Sequence, residues 1–488
     1  MRLPRVRLTI RRMMVVALGL VSATWSGPAR AEVTPRLRAS WKEKDARVLV
    51  FSPDGRSLVS TGGEGHQLRD ASTGTVRSLL ARPRVGFYGP VFSPDGRTLY
   101  AEIGTDDFKP VGVSNLTVWD VATGRPKATF SHVHEGMGDG HFVLSADGNR
   151  LAFLDNSERL PMKVETSEIG IDGRTFDVAL NVNPGLPRVV IWDVTRWERV
   201  VRVDGGLPMA FSRDGKILAT GDRDWKTPVA KVWEVDTGRL RSVLRDRPPG
   251  IEPIVISPEG RYLASFDHRM ISLWNLADGR RWGFEPQETV PFPPEPLFSP
   301  DGRLLFPGRR YRISPRSGQL GGNHAYDLAG MPPRRLDMGP GELVISPDGR
   351  RCAVVSGLLS DGVSQTVTFR DLPSLREGGK SDVKGMIGVG FSPDGRWLAI
   401  MARRHGANLL DRPSEDCLDV VIIDPATAKV RCTIPSPALT WGNYGCKFSP
   451  DGNTLAVCYR TGSNRFRPGE PEPFDLPMTL ELWEIPPN

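Results

Sequence analysis

The sequence predicts an all-β chain built from nine copies of one antiparallel four-stranded unit, and three observations predict it. The first is a returning hexapeptide. "FSPDGR" stands at 51–56, 92–97, 298–303 and 391–396, with "FSPDGN" at 448–453. Looser copies are "LSADGN" at 144–149, "FSRDGK" at 211–216, "ISPEGR" at 256–261 and "ISPDGR" at 345–350. Self-similarity at a fixed period marks a repeat architecture. The second is a triplet of apolar, aromatic and acidic residues: "LRD" 68–70, "VWD" 118–120, "IWD" 191–193, "VWE" 232–234, "LWN" 273–275, "FRD" 369–371, "IID" 422–424 and "LWE" 482–484. The third is that no segment of useful length after residue 31 shows helical periodicity, whereas short β-branched and aromatic runs recur between turn residues.

The N-terminus comes first. Residues 1–31, "MRLPRVRLTIRRMMVVALGLVSATWSGPARA", have a basic start, an apolar run from Met13 to Ala23 and a small-residue site at Ala29-Arg30-Ala31. The apolar run is too short to span a bilayer, so the segment reads as a cleaved export signal. Arg11-Arg12 loosely matches a twin-arginine signal, but Ile10 stands where Ser or Thr is usual, and an arginine-rich Sec signal fits as well. Residues 32–488 are then the repeat domain, without a transmembrane segment and periplasmic or extracellular in location.

Within a unit the elements follow from local chemistry. In unit one, "RVLVF" is strand a, and Ser-Pro-Asp-Gly is a turn in which Pro fixes φ, Asp bonds its own backbone and Gly accepts positive φ. "RSLVS" is strand b, the triplet ends strand c, and a turn such as "DASTG" or "DVATG" leads into strand d. Unit six is ambiguous: either "YRISPRSG" (311–318) or "AYDLAG" (325–330) carries its triplet.

These repeats resemble the WD-repeat β-propeller family, in an exported, degenerate form, over residues 34–486. The resemblance implies a single closed propeller of eight or nine four-stranded blades, two smaller rings being the other arrangement. The Trp of strand c (Trp119, Trp192, Trp233, Trp274, Trp483) recurs at one blade position, so blade packing is its natural role. The family's Gly-His dipeptide is mostly missing, and its tight-turn Asp has counterparts only at Asp267 and at Asp222 or Asp224. Its His/Ser/Trp/Asp network is therefore expected to be mostly absent. The last unit ends after strand c, and the stretch near 34–42, "TPRLRASWK", can supply its strand d. Such closure hides both sheet edges.

Spacing indicates where function sits. From anchor Ser to triplet acid the distance is 18 residues in unit one but 27, 48, 32 and 35 in units two, three, eight and nine. The variation lies in the b–c connection. In an antiparallel unit b–c and d–a connections share one edge, so the insertions decorate one face, on contiguous units 8, 9, 1, 2 and 3. Long loops on a rigid scaffold are where binding usually lies.

Charge excludes one class of partner. The chain has 64 basic and 57 acidic residues, and six of the arginines fall in residues 1–31, so the exported part carries 58 against 57, a net of +1. No electrostatic case for nucleic acid remains. Five cysteines in 488 residues make no disulfide framework, and Cys352, at the position of Leu58 in unit one, reads as a small buried hydrophobe.

Candidate chemistry is sparse. "SHVHEGMGDGH" (131–141) brings His132, His134 and His141 into one stretch, assigned to a d–a loop, where a zinc-like site is geometrically conceivable. Polar loops also collect histidines without binding metal, and no metal or other cofactor is expected. There is no G-x-S-x-G elbow, C-x-x-C-H haem site or Gly-rich phosphate loop, so no catalytic residue is assigned. Candidate contact residues in the b–c loops are Phe108, Trp225, Arg403, Arg404, Arg465 and Phe466, of the types that most often anchor interfaces. Asp54, Gly55, Asp95, Gly96, Asp301, Gly302, Asp394, Gly395, Asp451 and Gly452 are assigned to structural turns. The expected function is a monomeric, non-enzymatic scaffold that binds a protein or peptide through the loop face. The alternative is a propeller enzyme, a metal-dependent hydrolase or lyase, with its site at the channel mouth on that face.

Overall fold

The computed structural model describes residues 34–486 apart from the connections 45–46, 63, 83–86, 105–110, 136–141, 156–163, 172–173, 182–187, 222–229, 246–253, 267–270, 285–295, 307–321, 341, 357–363, 373, 385, 404–417, 436–444 and 461–476. Residues 35–488 form one compact unit. The described residues contain no helix. They form nine four-stranded antiparallel sheets and one separate two-stranded hairpin. Blade one is typical, with strands a to d at Arg47–Phe51, Ser57–Gly62, Gly65–Asp70 and Val76–Ala81, adjacent in that order.

Blade nine is assembled from both ends of the chain. Its strands a, b and c are Gly445–Phe448, Thr454–Arg460 and Pro477–Glu484, and its outer strand is Arg36–Lys44, called the closing strand below. The closing strand pairs antiparallel with strand c from Arg36↔Glu484 to Lys44↔Pro477.

Of eight or nine blades, the structure has nine, and the packing makes them one ring. Each joint between successive blades holds an apolar cluster, beginning with Val59 and Leu68 against Leu99 and Trp119 at joint one–two. Equivalent clusters occupy every following joint. The series ends at joint nine–one, where Ala456 and Leu482 meet Phe51 and Leu58. The residue six after the anchor Ser, at the start of strand b, is Leu in eight blades and Cys352 in the seventh, and all nine are fully buried. Each such Leu contributes about 1.5–3 kcal/mol by burial.

The hexapeptide is a packing device as well as a turn. Its Phe faces the preceding blade, as Phe92, Phe211 and Phe298 do. Its Ser is buried and closes the turn. The Ser392 hydroxyl donates to Asp394 Oδ1 (2.6 Å), and the Trp397 N–H donates to Ser392 Oγ (2.9 Å). Its Gly takes the left-handed φ that an L side chain resists, +70° at Gly55.

The c–d turns repeat that conformation with Gly74, Gly124, Gly238 and Gly279, but blade three places Trp197 there at φ +57°, 37% exposed. A bulky residue in this region costs about 1–2 kcal/mol. Trp197→Gly is therefore expected to raise the stability of the folded chain by about 1 kcal/mol, read as a higher urea midpoint at unchanged slope.

The structure bears on three sequence expectations. Unit six carries its triplet in "AYD", because strand c of blade six is Gly322–Asp327. Strand d of blade two runs Pro126–Glu135, so His132 and His134 lie on a strand, paired with Ser114 and Gly112, rather than in a d–a loop. The Trp network is not wholly lost: in blade four Trp233 Nε1 donates to Thr220 Oγ1 at 3.0 Å. Cys352, Cys432 and Cys458 are buried and unbonded to one another. Burial pushes the Cys352 thiol up to about 12 and that of Cys432 to about 11, so both stay protonated at neutral pH.

Candidate functional site

Every blade is an antiparallel a-b-c-d sheet, so the ring has two unlike edges. One edge carries the a–b and c–d turns, which are short and alike. The other carries the b–c and d–a connections. On this second edge blade one needs only the step from Gly62 to Gly65 and blade five only that from Phe266 to Ile271. Blade three runs from Asp155 to Arg188 and inserts a hairpin, Val164–Ile171 paired with Arg174–Asn181. Blades eight and nine run from Arg403 to Leu418 and from Arg460 to Pro477.

This distribution corrects the sector read from the spacing. Blade six, whose strand b ends at Phe306 and whose strand c starts at Gly322, has a connection comparable with those of blades eight and nine. Blade two has only the step from Gly104 to Val111, because its large spacing is taken up by a seven-residue strand b and a ten-residue strand c. The elaborated blades are three, six, eight and nine, and they share an edge rather than one arc of it.

Most of the proposed contact residues lie outside the described residues: Phe108, His141, Trp225, Arg404, Arg465 and Phe466, as do Asp222, Asp224 and Asp267. Arg403 is the last residue of strand b in blade eight. His132 and His134 stand two apart on a strand, as described above. Among the described residues no group of three or more His, Cys, Asp or Glu side chains could hold a metal ion. The turn residues are described, and Gly55, Gly96, Gly302, Gly395 and Gly452 all have positive φ. Asp54, Asp95, Asp301, Asp394 and Asp451 each accept a bond from the anchor Ser.

The described residues also contain a buried polar cluster that the sequence reading missed, reaching from Gly62 on the loop side to Gly74 in the c–d turn. It lies where the closing strand meets blade one. Arg69 Nη2 donates to Glu43 Oε2 at 2.8 Å, with the two side chains 7% and 9% exposed. Gln67 Nε2 donates to Glu43 Oε1 at 3.1 Å, and Arg69 also donates to Gln67 Oε1. The remaining donors of Arg69 reach Ser60 Oγ at 2.9 Å and the Gly74 carbonyl at 2.8 Å. The guanidinium lies 4.7 Å from the centroid of the Trp41 ring, in cation–π range.

The available signal was the triplet "LRD", in which Arg69 takes the place of the strand-c Trp. Its Nε bond to Ser60 repeats the bond of Trp233 to Thr220. Burial raises the Glu43 carboxyl above its ordinary value, although the Arg69 charge opposes this. Burial also lowers the Arg69 guanidinium, again against the pull of Glu43. Both carboxylate oxygens are engaged, so Glu43 is placed as a structural acceptor rather than as a base facing substrate. On the far side of blade nine, Glu481 accepts from the Tyr459 hydroxyl and from Trp483 Nε1 (2.9 Å), another acid tied up by blade packing.

No protein-family model and no curated protein sequence matches the chain. Solved structures do match. A crystal structure of a eukaryotic initiation factor aligns over 91% of this chain and 94% of that one, at TM-score 0.51 and 13% identity. The β-propeller domain of Myceliophteria thermophila Cps50 (Swd1) aligns over 72% and 98%, at TM-score 0.33 and 14% identity. Kuenenia stuttgartiensis hydrazine synthase aligns over 52% and 73%, at TM-score 0.33 and 18% identity. The first likeness is one of fold, and what it leaves for this chain is a nine-bladed β-propeller scaffold.

Proposed function

We propose that the protein is an exported, non-enzymatic β-propeller of WD-repeat type that binds a protein or peptide partner through its b–c/d–a face. One observation carries this reading. The strands joined by the long b–c connections of blades three, six, eight and nine all end and restart at one edge, while the opposite edge is a ring of near-identical short turns. Variable connections on a rigid frame supply diversity without risk to the core, which is the usual arrangement of a recognition surface. The near-neutral charge of residues 32–488 favours a protein or peptide over nucleic acid. The basic, apolar and small-residue pattern of residues 1–31 supports export.

The test replaces residues 155–187, and separately 461–477, with a short turn like that of blade one. Both variants are expected to keep the ring, because the deleted segments lie outside the joint clusters, and at least one is expected to lose the captured partner. Partners that survive both deletions unchanged would place the binding surface elsewhere.

A further inference from the structure

The closing strand is the one outer strand with no covalent link to strand c of its own blade. It is made first and can pair only when residues 477–484 have followed it. Until then it can add to the wrong sheet edge, or to blade nine of a second copy, since an unpaired strand is a template for either. At most other joints the side chain at the Arg69 position is apolar or aromatic, as at Trp119, Trp233, Trp274 and Tyr326, and packing of that kind discriminates weakly between similar blades. Joint nine–one is built differently. Glu43 meets Arg69 and Gln67, the Trp41 ring lies against the guanidinium, and Gly62 leaves the space in which a Cβ would collide with Glu43 Cδ. At the other end of the strand Arg38 Nη2 pairs with Glu484 Oε1 at 3.1 Å, which ties it to strand c.

We propose that the buried Glu43–Arg69 pair, with Gln67 and Trp41, is a selectivity lock: it makes Arg36–Lys44 of the same chain, in one register, the strand that closes the ring. A two-residue slide keeps the inward alternation of the strand but leaves Glu43 buried without Arg69, and among the other blades only blade seven, with Arg370, has an arginine at this position of strand c. Desolvating both charges offsets much of their attraction, so the pair contributes specificity of closure more than stability. The lock disfavours strand exchange between copies and keeps the loop edge of blade nine next to that of blade one, as binding by that edge requires.

Two variants of the full-length exported chain test this. Glu43→Gln leaves Arg69 buried without its bonded counter-charge, and amides of 36–44 are expected to exchange at least tenfold faster while those of blade five are unchanged. The double variant Glu43→Leu with Arg69→Met removes both charges. It is expected to melt at or above the temperature of the native protein, yet to refold from urea at high concentration as a mixture containing strand-exchanged dimers, where the native chain returns as monomer. A double variant that refolds wholly as monomer with native protection of 36–44 would overturn the lock, as would a native chain that yields the same dimers. These outcomes are read without a partner, so they stand apart from the test of the loop face.

Discussion

A chain lacking residues 34–44 is expected to lose the cooperative native ring and to appear in the aggregated fraction. The closing strand pairs with strand c of blade nine along eight residues, and Trp41 packs into the clusters at that seam. Each lost backbone bond removes about 1 kcal/mol and each buried large side chain about 2–3 kcal/mol. Their sum is comparable with the whole stability of a typical domain, about 5–15 kcal/mol. Two further consequences add to it. Strand c of blade nine becomes an open, apolar edge, and Arg69 is left in a partly open seam without Glu43. The measurement is the soluble yield and the thermal transition of the truncated chain. Adding a synthetic peptide of residues 34–44 is expected to restore part of the transition. A truncated chain that melts like the native protein would mean that blade nine does not depend on this strand.

The second large effect is acid sensitivity. The turn aspartates Asp54, Asp147, Asp394 and Asp451 are lowered below the ordinary carboxylate value: burial alone would raise them, but the anchor Ser hydroxyl and the backbone N–H two residues on together outweigh it. At Asp95 and Asp214 the serine bond is the largest influence. Asp193, held by Thr195, the Arg196 amide and Arg150, is pulled down to about 2 against its own burial. The sign is that of a depressed carboxylate. The stability these groups contribute is fully present above the unfolded value, about 4, and is lost as pH falls through the lower folded values. Glu43, raised by burial, acts the other way and offsets a small part. Urea midpoints are expected to be flat above about pH 5 and to fall steeply toward pH 3, with Asp394→Asn reducing the steepness. A midpoint that does not move between pH 5 and pH 3 would show that the turn bonds do not favour the charged form.

The turns were legible because their chemistry is local: Ser, Pro, Asp and Gly at fixed offsets specify the bend wherever it occurs. The closing strand was legible by counting, since a last unit without strand d needs one and residues 34–42 alternate suitably. Blade two shows where spacing misleads. A distance of 27 residues between anchors does not say whether they form a loop or longer strands, and Val111–Asp120 and Pro126–Glu135 are strands. The same limit put His132 and His134 in a loop. Blade six was ambiguous because Tyr326 replaces Trp and its turn lacks the usual Thr-Gly. The Glu43–Arg69 pair was not legible: its partners come from opposite sides of the seam, and one-dimensional periodicity carries no information about such a contact. The loop face was legible only as an edge. Which side chains on it meet a partner depends on connections whose lengths vary from blade to blade and whose sequences share no pattern.

Recognition by the b–c/d–a edge of a closed nine-bladed ring, the function proposed above, has a direct physical readout. Hydrogen–deuterium exchange of the intact protein, with and without the partner recovered by capture, tests it most directly. New protection is expected only in peptides from the b–c and d–a connections, among them 156–187, 404–417 and 461–476, with the nine Ser-centred turns unchanged. Protection appearing at turns such as 52–56, 299–303 and 392–396, with the b–c connections unaffected, would contradict it.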